Sequence, residues 1–311
     1  MSQLRLPPPA GVEVVDVRLF GAPELSCSYV VHAAEPALIE TGPATVFETV
    51  KDELTRRGVE PKHVVLSHIH LDHAGGVGHV AELFGGATIW VHDIGARHLV
   101  DPTRLVASAR RLFGDALDTM YGEPVPVADS RIRIMEEGTR IPLGDRELRV
   151  LYTPGHASHE VTLWDADSGA AFVGDTAGVC YGEAWQKPAT PPPEFDLEAA
   201  LDSIGRVKNL KPRTICFTHY GVSNENALNE AAKDLQEWDA TLRPLVLRGA
   251  DEEELMAALE PSVGEPPGDA AFVKAATDLS STRNSLLGYV RYYQKHVMEQ
   301  DERPGEAKRR R

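Results

Sequence analysis

The sequence predicts an α/β protein whose strands deliver a cluster of metal-ligating side chains, followed by a helical C-terminal stretch. Three observations carry that prediction. Short β-branched runs alternate with amphipathic helical segments as far as Gly221. Four of those runs end in a motif bearing His or Asp. Beyond Gly221 the pattern is almost entirely helical.

Val12 to Val17, Ser28 to Val31 and Ala37 to Ile39 are expected as opening strands. Thr45-Val46-Phe47-Glu48 matches a capping box, Val46, Val50 and Leu54 recur at helical spacing, and Gly58 supplies the stop. Val64-Val65-Leu66 reads as a buried strand running into Ser67-His68-Ile69-His70-Leu71-Asp72-His73, with a helix from Gly75 to Phe84 leading away. Thr88 to Val91 is the next strand, and Gly95 to Tyr121 turns helical. Strands follow at Ile132 to Ile134, Arg140 to Ile141 and Glu147 to Tyr152, the last delivering Thr153-Pro154-Gly155-His156. Ala170 to Val173 leads to Asp175, and Asp196 caps a helix that buries Leu197, Ala200, Ile204 and Val207. Thr214 to Phe217 ends at His219. Helices are expected over Asn224 to Leu247, Asp251 to Leu259 and Ala270 to His296, with Pro261 to Gly268 as the best linker.

Five of the twelve histidines fall in these motifs, and their spacing suits metal chemistry. In an extended segment alternate residues share a face, so His68 and His70 point one way while Ile69 and Leu71 pack into protein. Asp72 and His73 then present an oxygen and a nitrogen a little further on, and Gly75-Gly76 would let backbone approach closely. His156 completes a three-histidine set that leaves a position open for water. Asp72, His73 and His219 would hold a second cation, with Asp175 bridging the two. Isolated histidines near strand ends are more often hydrogen-bonded surface or core residues, and His32, His63, His79, His92, His98 and His296 are read so.

With these residues in this order, the chain resembles the metallo-β-lactamase superfamily, whose HxHxDH, H, D, H signature is matched from about Val12 to Gly221. The resemblance implies a four-layer αβ/βα sandwich with the metals at one edge between two sheets. It implies a catalytic domain over 1–222 and a helical extension over 223–300 serving as substrate cap or homodimer contact; 301–311 reads as a disordered tail. It also implies two divalent cations, zinc first, with iron or manganese accepted by the same all-nitrogen-and-oxygen donors. Two cations sharing a hydroxide would bring the pKa of water from about 15.7 to near 7, with Asp72 orienting the nucleophile and passing on its proton. The reaction expected is hydrolysis of an ester, thioester or lactone.

The departures from the family pattern are informative. Glu40 stands where the superfamily usually has Asp, and His159-Glu160 differs from the Gly-His common in glyoxalase II-like members. The best-known zinc β-lactamases carry a Cys where this chain has Asp175, which moves β-lactams to a side activity. A persulfide dioxygenase of the same superfamily, with one iron held by two His and one Asp, is the alternative. A binding protein that keeps the ligands without turnover is the non-enzymatic rival.

Composition restricts the partners. A formal charge of −15 argues against nucleic acid, and roughly 40 residues between Asp175 and His219 leave no room for a nuclease's basic insert. Lys308-Arg309-Arg310-Arg311 is the one basic run. No apolar run approaches the roughly 20 residues of a membrane span, and the N-terminus lacks a signal-like h-region, so a cytoplasmic location is expected. Cys27, Cys180 and Cys216 give no disulfide framework. A small acyl substrate is therefore expected, in a pocket walled by the Gly95 to Tyr121 helices, the Tyr181 to Pro193 loop and the C-terminal helices, with Tyr181, Trp185 and Tyr220 as contacts. Arg283, Tyr289, Tyr292 and His296 form a helical stripe that is more often core or dimer contact than pocket wall.

Overall fold

The protein was analysed as a computed structural model that describes residues 6–181 and 185–298. The expected disordered tail with its basic run, and residues 182–184 of the expected pocket loop, lie outside the described residues.

Among the described residues the strands form two sheets and a hairpin. The first sheet runs in chain order through β1 (Val12–Asp16), β2 (Cys27–Val31), β3 (Ala37–Ile39), β4 (His63–Val65), β5 (Thr88–His92) and β6 (Ile132–Met135). Its first two pairings are antiparallel and the rest parallel. Between these strands lie α1 (Phe47–Arg57), α2 (Leu71–Ala74), α3 (Val77–Leu83), α4 (Asp93–Val100), α5 (Thr103–Phe113) and α6 (Ala116–Tyr121). The second sheet holds β7 (Arg140–Pro142), β8 (Glu147–Tyr152), β9 (Val161–Asp165) and β10 (Ala170–Phe172), and beyond β10 come β13 (Thr214–Phe217) and β14 (Gly221–Ser223). The hairpin of β11 (Val179–Tyr181) and β12 (Trp185–Lys187) and helix α7 (Leu197–Asn209) precede β13; α8 (Asn226–Leu247), α9 (Glu252–Val263), α10 (Ala270–Leu279) and α11 (Thr282–Tyr293) end the chain.

Period-two alternation builds the layers. On β3, Ala37 and Ile39 face the second sheet while Leu38 faces helices; on β5, Trp90 faces inward while Ile89 and Val91 join the helix side. The resulting core between the sheets includes Tyr29, Phe172, Val150 and Cys216, with Tyr29 and Phe172 edge to face at 5.2 Å. Val50, Leu54, Val77 and Leu99 cover the first sheet from outside; Ile204, Leu228, Trp238, Leu259 and Tyr289 cover the second. The architecture is thus the αβ/βα sandwich, and the C-terminal helices α8, α9 and α11 share their buried cluster with Ile215 and Phe217 of the second sheet. No described helix is long and apolar enough to cross a membrane.

Several local expectations are revised. The Thr45 capping box does not form: α1 starts at Phe47 with Val46 as its cap, and the Thr45 hydroxyl donates to the carbonyl of Met120 at 3.0 Å. The expected helix 75–84 forms as α3 over Val77–Leu83, preceded by the short α2, and Gly75-Gly76 serve a different end. A Cβ at Gly75 would sit 2.4 Å from the carbonyl oxygen of Leu71, and one at Gly76 3.2 Å from those of Thr41 and Gly42, so both let α2 nest against that loop. The 95–121 stretch breaks at Pro102 and Gly114 into three helices. The expected linker begins inside α9, which continues through Pro261 to Val263, and the last helical stretch breaks at Ser280 and Ser281. Asp196 does cap α7, accepting from the Ala199 amide at 3.0 Å.

Candidate metal centre

β8, β10 and β13 run in one direction, so their C-terminal ends reach one edge of the second sheet, opposite the C-terminal end of β4. The four motifs leave from these ends. All seven expected ligand residues are brought together there, from residues up to about 150 positions apart in sequence.

Their donor atoms form two overlapping groups. His70 Nδ1 lies 3.0 Å from His68 Nε2 and 2.9 Å from His156 Nε2. On the other side His219 Nε2 lies 3.2 Å from His73 Nε2 and 3.4 Å from Asp72 Oδ2. Asp175 stands between the groups with its two oxygens divided: Oδ1 is 3.4 Å from His73 Nε2 and 3.5 Å from His219 Nε2, and Oδ2 is 3.6 Å from His156 Nε2.

This donor set suits divalent cations on two observations. A neutral imidazole carries one N–H, and His156 commits its own, from Nδ1 to the carbonyl of Ala189 at 2.8 Å; its Nε2 lone pair therefore faces the His70 nitrogen. Three ring nitrogens converging in this way are satisfied by a shared cation. Asp175 Oδ1 is moreover buried without a hydrogen-bond partner among the described residues.

The electrostatics divide the site: at His73 burial is outweighed by Asp175 and Asp72, which raise it well above its ordinary range, while the imidazoles of the first group are lowered. Burial and the neighbouring imidazoles hold His68 well below its ordinary range, and burial with His156 and His159 lowers His70 to about 3, which keeps both neutral and able to ligate. Burial would raise the Asp72 carboxyl, but His73 and His219 outweigh it and hold it at about 2. Asp175 is likewise held far down against its own burial by His219, His73 and His156.

A second layer of side chains fixes the first. Glu40 accepts from the Ser67 amide at 2.9 Å and turns its other oxygen toward His73 Nδ1 at 3.6 Å. Glu160 accepts from the Asp175 amide at 2.6 Å and lies 3.9 Å from His68 Nδ1. Ser67 Oγ, 2.9 Å from His68 Nδ1, is the hydrogen-bond partner that orients a ring here, with Glu160 further behind His68 and Glu40 behind His73. His159, which the motifs did not single out, is buried, stacks parallel to His68 at 6.0 Å and has its pKa lowered to about 3 by burial and His156. The only sequence signal for it is its place three residues after His156.

The centre opens into a cavity of about 520 Å³ lined by His70, Asp72, His156, Asp175 and His219 on the floor, α4 to α6 on one side, and residues 188–194 and 279–285 on the other. The three expected substrate contacts are not among its lining residues. Tyr181 is buried against Trp185 with its hydroxyl 3.2 Å from Ser280 Oγ, Trp185 donates to the carbonyl of Val263, and Tyr220 packs between two core clusters. Their place is taken by Ile94, Leu105, Phe113, Tyr121 and a set of arginines. Tyr289 and Tyr292 face the helical core and Arg283 pairs with Glu252.

The fold and this edge-of-sheet cluster of residues that could hold metal ions point to one class of protein. A family model for the metallo-beta-lactamase superfamily matches residues 23–219, and the chain belongs to that superfamily. Within it, the chain is 28% identical over 176 residues to a metallo-beta-lactamase fold-containing protein of Sulfurisphaera tokodaii, covering 56% of this chain and 66% of that one. A solved archaeal metallo-beta-lactamase superfamily protein from Sulfolobus tokodaii matches with a TM-score of 0.67 at 22% identity, over 90% of this chain and 99% of that one. An acyl-coenzyme A thioesterase of Gallus gallus is 33% identical over 38% of this chain and 42% of its own length. A hydroxyacylglutathione hydrolase of a Synechococcus strain is 27% identical over 67% of this chain and 70% of its own length.

Proposed function

We propose that this protein is a metal-dependent hydrolase that cleaves an ester, thioester or lactone of a small acyl substrate. His68, His70 and His156 would hold one divalent cation, Asp72, His73 and His219 a second, and Asp175 would be shared; zinc suits these donors best. The observation that carries the reading is the division of the Asp175 oxygens between the two nitrogen groups, at the floor of a cavity large enough for a small ligand. Bound there, such cations polarise a carbonyl and bring the pKa of water toward neutrality.

The chain's own residues supply the rest. Asp72 is 18% exposed and lines the cavity, whereas His68, His73, His156, His219 and Asp175 are at 6% or below. It is the ligand best placed to accept a proton from the attacking water and hold it on Oδ1 or Oδ2 until the leaving group needs it. His73 and His219 keep it ionised for that task. Glu40 and Glu160 tie down the Ser67 and Asp175 backbone amides, and the Ser67 hydroxyl and the Ala189 carbonyl hold the His68 and His156 rings, so these donors are preorganised. A thiolate-free donor set and relatives that include an acyl-coenzyme A thioesterase and a hydroxyacylglutathione hydrolase favour thioesters within this class.

The test is a panel of thioesters, esters, lactones and β-lactams offered to the full chain. We expect acyl hydrolysis that a chelator abolishes and zinc restores. Failure on the whole panel with metal bound would leave a binding role. Oxygen uptake on a persulfide with one iron per chain would identify the dioxygenase instead.

A further inference from the structure

The cavity wall opposite the metal centre is chemically two-faced. On α5, Leu105, Ala109 and Leu112 recur at intervals of four and three residues, and so do Arg104, Ser108 and Arg111 one position before each. Both stripes line the cavity, and Arg97 from the last turn of α4 lines it beside them. α5 buries no residue fully, so this helix is a wall rather than a piece of core.

The pairing of its charges is uneven. Arg110, on the face turned away, pairs with Asp118. Among the described residues, neither Arg104 nor Arg111 has an ion pair or hydrogen bond, and Arg97 reaches only the His98 ring at 3.3 Å. Two acids lie near. Glu194, on the opposite wall, accepts from the Ser158 amide and hydroxyl at 2.9 and 2.7 Å, and Asp101 accepts from the Thr103 amide at 3.1 Å. In a chain of net charge −15, Arg97, Arg104 and Arg111 gather on the α4–α5 wall of the cavity, apart from Asp72 and Asp175 on its floor and Glu194 on the opposite wall, and form a local basic face.

Resting on the hydrolase reading above, we propose that the substrate is an acyl thioester or ester whose leaving group bears phosphate, with the acyl chain along Leu105, Ala109 and Leu112 and the phosphates on Arg97, Arg104 and Arg111. Three guanidinium groups match a multiply charged group better than a single carboxylate, and Arg is the side chain whose planar fork fits phosphate oxygens. Hydrolysis breaks the acyl C–S or C–O bond, water supplies the hydroxyl of the acid, and its proton goes to the departing thiolate or alkoxide.

The experiment uses the zinc-loaded full chain and one octanoyl group on three carriers: coenzyme A, glutathione and neutral N-acetylcysteamine. We expect kcat/KM for the coenzyme A thioester to exceed that for the neutral one by at least about tenfold at low salt. The preference should fall to about threefold or less in the Arg104→Gln/Arg111→Gln double variant, chiefly through KM, and should erode between about 50 and 500 mM salt. Equal rates on charged and neutral carriers, or a preference that survives the double variant, overturns the proposal. A preference for the glutathione thioester overturns the phosphate assignment in favour of a carboxylate. If no thioester turns over, the hydrolase reading is decided separately by the ester and lactone members of the panel, and calorimetric binding of free coenzyme A decides this one: binding weakened at least about tenfold in the double variant supports it, and no binding to the parent chain overturns it.

Discussion

Substituting Gly288 by Ala tests whether the C-terminal helix is part of the metal centre's foundation. A Cβ on Gly288 of α11 would stand 1.8 Å from the carbonyl oxygen of Thr190 and 2.8 Å from its carbon, so the segment around residue 190 must move by more than an ångström. Two ties hold that segment to α11. The Thr190 hydroxyl donates to the carbonyl of Ser285 at 2.9 Å, and the Ser285 hydroxyl donates to that of Pro188 at 3.3 Å. Overpacking costs about 1–3 kcal/mol, each of the two weakened bonds about 1, and the helix regains about 1 from Ala, leaving a loss of about 2–4 kcal/mol. At about 2 °C per kcal/mol for a chain of this size, the melting temperature should fall by about 4–8 °C. Ala189, between these ties, accepts the N–H of His156, so zinc affinity should fall as well, by about tenfold. Calorimetry of the metal-free protein reads the first effect and zinc titration the second. Gly205→Ala, in α7 with nothing within 4 Å of the new Cβ, serves as the control and should gain up to about 1 kcal/mol. A Gly288→Ala protein that melts with the parent would refute this packing.

Asp175→Asn keeps the shape and removes the shared charge. A unit charge pair at 4 Å is worth about 4 kcal/mol at an effective dielectric near 20, so one of two zinc ions should bind at least about 100-fold more weakly in a competition titration with a chromophoric chelator. Undiminished affinity for both would contradict the sharing. Asp72→Asn should lower kcat by about 100-fold with a smaller change in KM; an unchanged kcat would remove Asp72 from proton transfer. Lys187 is buried beneath Trp185, within hydrogen-bonding reach of the Ser280 carbonyl and Thr282 hydroxyl, and burial lowers its pKa to about 7. Below pH 7 both folded and unfolded chains carry the proton and the full burial penalty stands; from pH 7 toward the ordinary lysine range only the unfolded chain carries it, so stability rises with pH. Relative to the parent, Lys187→Met should therefore be more favourable in urea unfolding at pH 6 than at pH 9. A difference independent of pH would mean that the ammonium is solvated.

The ligands were legible because each sits in a short motif at the end of an apolar run, where strand geometry alone decides the direction of His68 and His70. The sheets were legible wherever period-two patterning held, as on β3 and β5. β9 escaped because all but one of its residues are buried and no alternation marks it, and β14 because it is three residues long and opens with Gly221. The roles of Glu40, Glu160 and His159 come from contacts across 15 to 92 residues, which no local pattern encodes. The pocket's walls were legible, since the 95–121 helices, the loop up to Pro193 and the C-terminal helices all line it, but its three expected contacts were not. Aromatic residues in a loop look like ligand contacts, but Tyr181 and Trp185 are spent on packing against each other and on bonds to Ser280 and Val263. Within the expected Gly95 to Tyr121 wall, α5 has the pattern of an ordinary exposed amphipathic helix, and only its place over the cavity distinguishes Arg104 and Arg111 from Arg110.

The central claim is that these seven residues form a two-cation hydrolytic centre. The most direct measurement titrates the metal-free full chain with zinc, following bound metal by native mass spectrometry and thioester cleavage in the same samples. We predict two zinc ions per chain, with activity reaching its plateau as the second site fills. Saturation of both signals by a single metal ion would contradict the account.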